Sequence, residues 1–286
     1  MNRYYYKLVI ENKQKTLKYI DKELTDKELN LSQKLDNIIL IAEHLMGMQR
    51  IMVDSFLKLK KVNFQTLKKV GDTDQINELV INLVSNAKLF IDYLDRRWAP
   101  KYISDFNEEW KSECSAFYDE SESYRLCYHL RNFVQHSGTF PIEQISETSG
   151  YGQNEVNTTF ILNIDAFKEF KKEFSKLNIS DLYWEDKSNL SFMKHANKYV
   201  TQLTALYQLA LSKYIQANRD TLDEIQANMR DTVLRNPIAW SNTSPQEISN
   251  AAKQNNFIIH PVVTLPDLYR FYKKLEEEKI INVKRS

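Results

Sequence analysis

The sequence predicts a mainly α fold with one β-hairpin, and three observations predict it. Only five Gly and six Pro stand among 286 residues of which 42% are hydrophobic, so tight turns are few and helix formers dominate. Apolar residues recur at helical spacing through most of the chain. A single stretch, Ile142 to Ile164, breaks that period with β-type alternation around a Gly-containing connection. The length allows one large or two small domains.

Taken in order, residues 3 to 20 are compatible with either a strand or a helix. Tyr4-Tyr5-Tyr6 and Leu8-Val9-Ile10 favour extension, while the Lys-rich continuation favours helix. From Leu31 to about Lys61 the positions Leu35, Ile38, Ile39, Ala42, Leu45, Met46, Ile51, Met52 and Phe56 form a long helical stripe. A second helix runs from Gln75 to about Arg97 on Ile76, Leu79, Leu83, Ala87, Phe90, Ile91 and Leu94, with Pro100 expected to close it. The segment around Trp110 carries Asp105, Glu108, Glu109, Glu113, Asp119, Glu120 and Glu122. Paired carboxylates can bind a divalent metal, but acids ahead of a helix also favour its dipole, and the structural reading is preferred.

Tyr124 to Pro141 reads as one amphipathic helix that ends abruptly. Leu126, Cys127, Leu130, Phe133 and Val134 form its apolar side, and Tyr128, Arg131, Asn132, Gln135 and His136 the other. Ser137-Gly138 and Pro141 stop it, placing His136 in the last turn, where the helix dipole favours a positive charge. The hairpin follows at about residues 142 to 164. Asp165 is expected to cap AFKEFKKEFSKL. A long helical run from about Ser188 to Met229 then repeats Met193, Val200, Tyr207 and Tyr214 in sevens, with Ala196, Leu203, Ala210 and Ala217 on the second seam. That pattern fits a dimer-forming coiled coil or antiparallel packing inside a bundle. After Asn236-Pro237 the texture changes, so domains of residues 1–230 and 231–286 are expected, the latter a helical extension. It contains a Ser244-Pro245-Gln246-Glu247 capping box and a final helix from Leu265-Pro266-Asp267.

Composition excludes several function classes. A net charge of +1 gives no global attraction to polyanions, so any nucleic-acid surface must be local. Lys58, Lys60, Lys61, Lys68 and Lys69 make the best local group for phosphates, against the alternative of a solvated loop. Cys114 and Cys127 match no metal-ligand spacing and read as buried thiols in a reducing compartment. Neither a signal-type segment nor a membrane-length apolar run is present, so a cytoplasmic protein with no membrane partner is expected.

Chemistry concentrates at Arg131-Asn132-x-x-x-His136. Five residues apart, Arg131 and His136 lie about 140° apart around the helix, at the two edges of its polar face, whereas Asn132 and His136 stack one turn apart. His129 lies on nearly the same side and could assist, although a His so placed is more often a partly buried structural residue. His129 and His136 are about 10 Å apart along the axis, too far to share one metal ion. His44, His195 and His260 belong to no constellation.

Arg131-Asn132-Phe133-Val134-Gln135-His136 resembles the signature of the HEPN superfamily, an Arg followed by a polar residue, three variable residues and a His, late in a bundle helix. The likeness fixes Arg131, Asn132 and His136, and at fold level spans about residues 30 to 230. It implies a helical bundle, here with the hairpin inserted after the motif helix, and commonly a homodimer. Many members are metal-independent endoribonucleases of toxin-antitoxin, abortive-infection or other anti-phage systems. RNA would then be the substrate, an antitoxin or regulatory protein a partner, and no cofactor or metal would be required. One subgroup carries a Tyr two residues after the His. Gly138 stands there, so regulation through that tyrosine is not expected.

On this resemblance His136 does the proton work of in-line attack by a ribose 2′-hydroxyl, Arg131 holds the phosphate, and Asn132 orients His136 or a phosphate oxygen. A single helix does not aim both edges of its face at one phosphate, so a composite site across a two-fold axis through the motif-helix face is expected. The alternative is a non-catalytic module that uses the same face to bind a nucleotide, RNA or protein.

Overall fold

The structure, a computed structural model, describes residues 3–11, 14–62, 70–103, 106–137, 139–148, 156–248 and 258–281. The fold is mainly α. In chain order its elements are β1 (Tyr4–Glu11), β2 (Gln14–Ile20), α1 (Asp26–Lys61), α2 (Val70–Tyr93), α3 (Ala99–Tyr102), α4 (Phe106–Glu120) and α5 (Glu122–His136). They continue with β3 (Ile142–Thr148), β4 (Val156–Leu162), α6 (Ile164–Glu169), α7 (Lys171–Phe174), α8 (Phe192–Ala217), α9 (Arg219–Arg230), β5 (Ile238–Ser241), β6 (His260–Val262) and α10 (Leu265–Glu277). Among the described residues no helix is long and apolar enough to cross a membrane.

Contacts divide the chain after His44 and after Ala210, not near residue 230. Met1–His44 and Leu211–Ser286 form one compact unit. The extended alternative prevails at the amino terminus because two neighbours satisfy its backbone. β1 pairs antiparallel with β2 through Tyr5 opposite Ile20 and with β5 through Tyr6 opposite Ala239. The resulting sheet has the order β2-β1-β5-β6. Tyr6 is buried and its hydroxyl donates to the Thr243 carbonyl at 2.6 Å. Leu222, Ile225 and Met229 of α9 and Leu268, Phe271 and Leu275 of α10 supply buried apolar groups at helical spacing. Thr264 and Asp267 form a capping box at the start of α10. At Ser244 the hydroxyl donates to Glu247 Oε2 at 2.7 Å.

Leu45–Ala210 forms the second unit, and it contains the motif helix. Its core joins Ile76, Val80, Leu83, Ala87 and Phe90 of α2, Leu126, Leu130 and Phe133 of α5, and Ala196, Tyr199, Leu203 and Tyr207 of α8, all buried. Of the heptad positions of α8, Ala196, Val200, Leu203, Tyr207, Ala210 and Tyr214 are buried within one chain, while Met193 is half-buried and Ala217 exposed. α2 does not end at Pro100. A π-helical turn, Leu94–Trp98, leads into α3 with Pro100 in its first turn, where a missing N–H costs nothing. β3 and β4 pair antiparallel from Ile142 opposite Leu162 to Thr148 opposite Val156, and the connection 149–155 lies outside the described residues. Asn77 clamps this pair to α2, accepting from the Ile142 amide at 2.9 Å and donating to its carbonyl at 3.0 Å.

Two expected helices change. The cap before α6 is Asn163, whose Oδ1 accepts from the Ala166 amide at 3.1 Å, and not Asp165. Phe170, at φ −82 and ψ 58, then breaks the AFKEFKKEFSKL run into α6 and α7. The long run beyond Ser188 likewise breaks at Asn218, between α8 and α9.

Candidate functional site

The motif helix is fixed at both ends by its own sequence. Ser121 caps α5, accepting from the Tyr124 amide at 3.2 Å, and the Ser137 amide donates to the Phe133 carbonyl at 2.8 Å. Burial of Leu126, Cys127, Leu130 and Phe133 sets the rotation of the helix, and Val134 is half-buried beside them. α5 packs on α2, α4, α7 and the 3-10 turn Ser175–Leu177. Asn178, left-handed at φ 50, ends that turn at a position where Asn tolerates the conformation better than most residues.

Along the polar face, exposure rises towards the carboxyl end. Tyr128 is half-buried, with Lys88 Nζ 4.9 Å from the centre of its ring. Arg131 and Asn132 are half-buried, and Gln135 and His136 are exposed. Arg131 Nη1 donates to Asn132 Oδ1 at 3.1 Å, and Asn132 Nδ2 donates to Glu173 Oε2 at 3.1 Å. His136 makes no hydrogen bond or ion pair among the described residues, so its imidazole is available to a ligand or to a second chain. Lys58, Lys60 and Lys61 are exposed in the last turn of α1, where cations suit the helix dipole. No hydrogen bond or ion pair among the described residues joins them to the motif, and Lys68, Lys69 and Gly138 lie outside the described residues.

The structure adds a group of residues that local pattern does not single out. Glu173 of α7 is buried, and both of its oxygens are engaged. Oε2 receives His129 Nδ1 at 2.8 Å as well as Asn132, and Oε1 receives Lys176 at 2.7 Å. Burial pushes the Glu173 carboxyl up, but the hydrogen bonds from Lys176, Asn132 and His129 outweigh it and hold the group at about 2. A carboxylate only accepts, so His129 Nδ1 carries the hydrogen. Burial also holds His129 below the usual imidazole range, against the pull of Glu173. The neutral ring therefore presents Nε2 as acceptor, and the Tyr118 hydroxyl meets it at 2.7 Å. His129 is thus a structural residue with a named task, which is to hold Glu173. Arg125, also buried, donates to the carbonyls of Leu177, Tyr118 and Asp119 and ties the ends of α4 and the 3-10 turn to α5.

The remaining titratable groups have other tasks. His195 is buried between Ser123 and the Asn189 carbonyl, His260 stacks on Trp240 at 4.0 Å, and His44 is exposed. Burial pushes the Cys114 thiol up to about 12 and raises Cys127 further, which leaves both as poor nucleophiles. Glu108, Glu113, Asp119 and Glu120 are exposed on α4, while Asp105 lies outside the described residues. Among the described residues no group of three His, Cys, Asp or Glu is placed to hold a metal ion.

Chemically, the arrangement offers a fixed guanidinium with donors to spare and an unengaged imidazole at the end of the same helix. The chain matches no family model, no curated protein and no solved structure.

Proposed function

We propose that this chain is a metal-independent endoribonuclease of the HEPN type, acting in anti-phage or toxin-antitoxin defence, whose active site is completed by a second copy of the chain. The reading places Arg131, Asn132 and His136 in a helical bundle with the β3–β4 hairpin inserted after the motif helix. One observation carries it: Arg131 is held by Asn132 on a half-exposed face, and His136 stands exposed and unengaged at the end of that face. Arg131 spends one N–H on Asn132 and keeps four for a phosphate. In the reaction a ribose 2′-hydroxyl attacks the adjacent phosphate in line. His136 takes the 2′-hydroxyl proton and returns it to the leaving 5′-oxygen, and Arg131 from the facing protomer stabilises the charge that develops on the non-bridging phosphate oxygens. The leaving 5′-oxygen departs opposite the attacking oxygen, with a 2′,3′-cyclic phosphate as product.

Purified protein should cleave single-stranded RNA, and His136→Ala should abolish cleavage. Absence of cleavage by the wild type, or full activity in His136→Ala, overturns the reading. A non-catalytic module is the second reading, favoured by the cover that Lys88 gives Tyr128 and by the commitment of the Asn132 amide to Glu173. It predicts salt-dependent RNA binding without cleavage. Homodimerisation through the motif face and control by an antitoxin or regulatory protein belong to the first reading.

A further inference from the structure

We propose that Glu173 is the positioning residue of the motif: it sets which way the Asn132 amide faces, and through Asn132 it aims the Arg131 guanidinium. The inference rests on the ribonuclease reading for its consequence and on geometry alone for its substance.

An Asn side chain has a donating and an accepting end of nearly equal size, and only its partners decide which is which. Here the partners leave one choice. Glu173 Oε2 lies 3.1 Å from one end of the Asn132 amide, and a carboxylate requires a donor there. The amide oxygen is thereby directed away from Glu173 and meets Arg131 Nη1 at 3.1 Å, where a guanidinium requires an acceptor. With the amide reversed, the NH2 would face a guanidinium and the oxygen a carboxylate, and both contacts would become repulsive. The anchor is itself held. His129 donates to the same oxygen at 2.8 Å, Tyr118 fixes the far side of the His129 ring at 2.7 Å, and Lys176 occupies the other carboxylate oxygen at 2.7 Å. Glu173 and His129 are buried, so water competes poorly for the bond between them. Arg131 itself makes no hydrogen bond or ion pair with Glu173 among the described residues, so the influence passes through Asn132.

The test uses the full chain. Glu173→Met removes the acceptor at similar length, and Glu173→Gln keeps one oxygen. The proposal expects Glu173→Met to lower kcat for single-stranded RNA by about ten-fold or more. Glu173→Gln should recover to within about three-fold of wild type, because one carbonyl oxygen suffices for Asn132. In an Asn132→Ala background Glu173→Met should cost less than about two-fold, since the relay is already cut. A purely structural Glu173 would lower activity equally in both backgrounds, and that result overturns the proposal. A second readout needs neither activity nor a variant at position 173. Hydrogen exchange of the Asn132 side-chain amide, identified by its loss in Asn132→Ala, should be about ten-fold slower in the wild type than for an exposed Asn. Exchange as fast as an exposed Asn overturns the proposal. Where the wild type cleaves no RNA, the ribonuclease reading fails and this exchange rate alone decides the role of Glu173.

Discussion

Asn132 Nδ2 donates to Glu173 Oε2 over 3.1 Å, which joins side chains 41 residues apart in sequence. That bond connects the motif helix to the buried pair His129 and Glu173, which half-buried Tyr118 and exposed Lys176 flank, and it sets the two histidines of the helix apart. His129 is engaged on both ring nitrogens, and His136 is exposed with no hydrogen bond or ion pair among the described residues.

Acid should loosen this region. Glu173 is held at about 2 against an ordinary 4.5, so its contribution to stability is complete above the ordinary value and fades as pH falls towards 2. His129 is also held low, so its contribution is complete above 6.5 and declines below it. Both act in the same direction. Stability from urea unfolding should fall between about pH 6.5 and 3, and the Glu173→Gln variant should lose part of that slope. The carboxylate accounts for at most about 3 kcal/mol.

Arg125→Met should destabilise the chain by about 2 to 4 kcal/mol, because three carbonyls lose their donor in a buried place. Arg125→Lys should recover little, since a single ammonium does not reproduce the guanidinium fork. Urea unfolding midpoints measure both.

Tyr199 is fully buried, and its hydroxyl has no hydrogen-bond partner among the described residues. Its ring stands edge-on to Tyr124 at 5.1 Å, so the ring and not the hydroxyl supplies the packing. Tyr199→Phe should leave stability unchanged or raise it by about 1 kcal/mol. A loss larger than that in thermal unfolding would contradict the burial without a partner.

Stability and chemistry should separate at His136. The side chain is exposed, so His136→Ala should alter stability by no more than about 0.5 kcal/mol. Cleavage should nevertheless fall by about a hundred-fold or more if it moves the proton. Parallel unfolding and cleavage measurements on the one variant check both halves.

Local period carried much of this structure. Leu126, Cys127, Leu130 and Phe133 of α5, Ile76, Leu83, Ala87, Phe90 and Ile91 of α2 and the α8 positions Ala196, Val200, Leu203 and Tyr207 are buried as their spacing requires, while Val134 and Leu79 are half-buried. Pairing across distance was not legible. Residues of β5 and β6 are too few to announce strands, and they become strands because β1 and β5 offer them partners. Glu173 looks like one more acid in a Lys-rich helical run, and its value comes from His129 and Asn132, far away in sequence. Asn163 displaces Asp165 as cap because caps depend on backbone angles that composition does not reveal. The seven-residue repeat of α8 is compatible with an exposed seam, and only the fold decides that the chain buries its middle, from Ala196 to Tyr214, while Ala217 stays exposed.

The central claim is a site shared between two copies, and mixing two inactive variants tests it most directly. In a composite site His136 of one protomer acts with Arg131 of the other. A dimer of one Arg131→Ala and one His136→Ala chain then has one intact site. With random exchange, half of the dimers are mixed, so equal amounts of the two should cleave single-stranded RNA at about a quarter of the wild-type rate. A mixture as inactive as either variant alone, under conditions where the wild type cleaves and the chains exchange, would contradict the shared site.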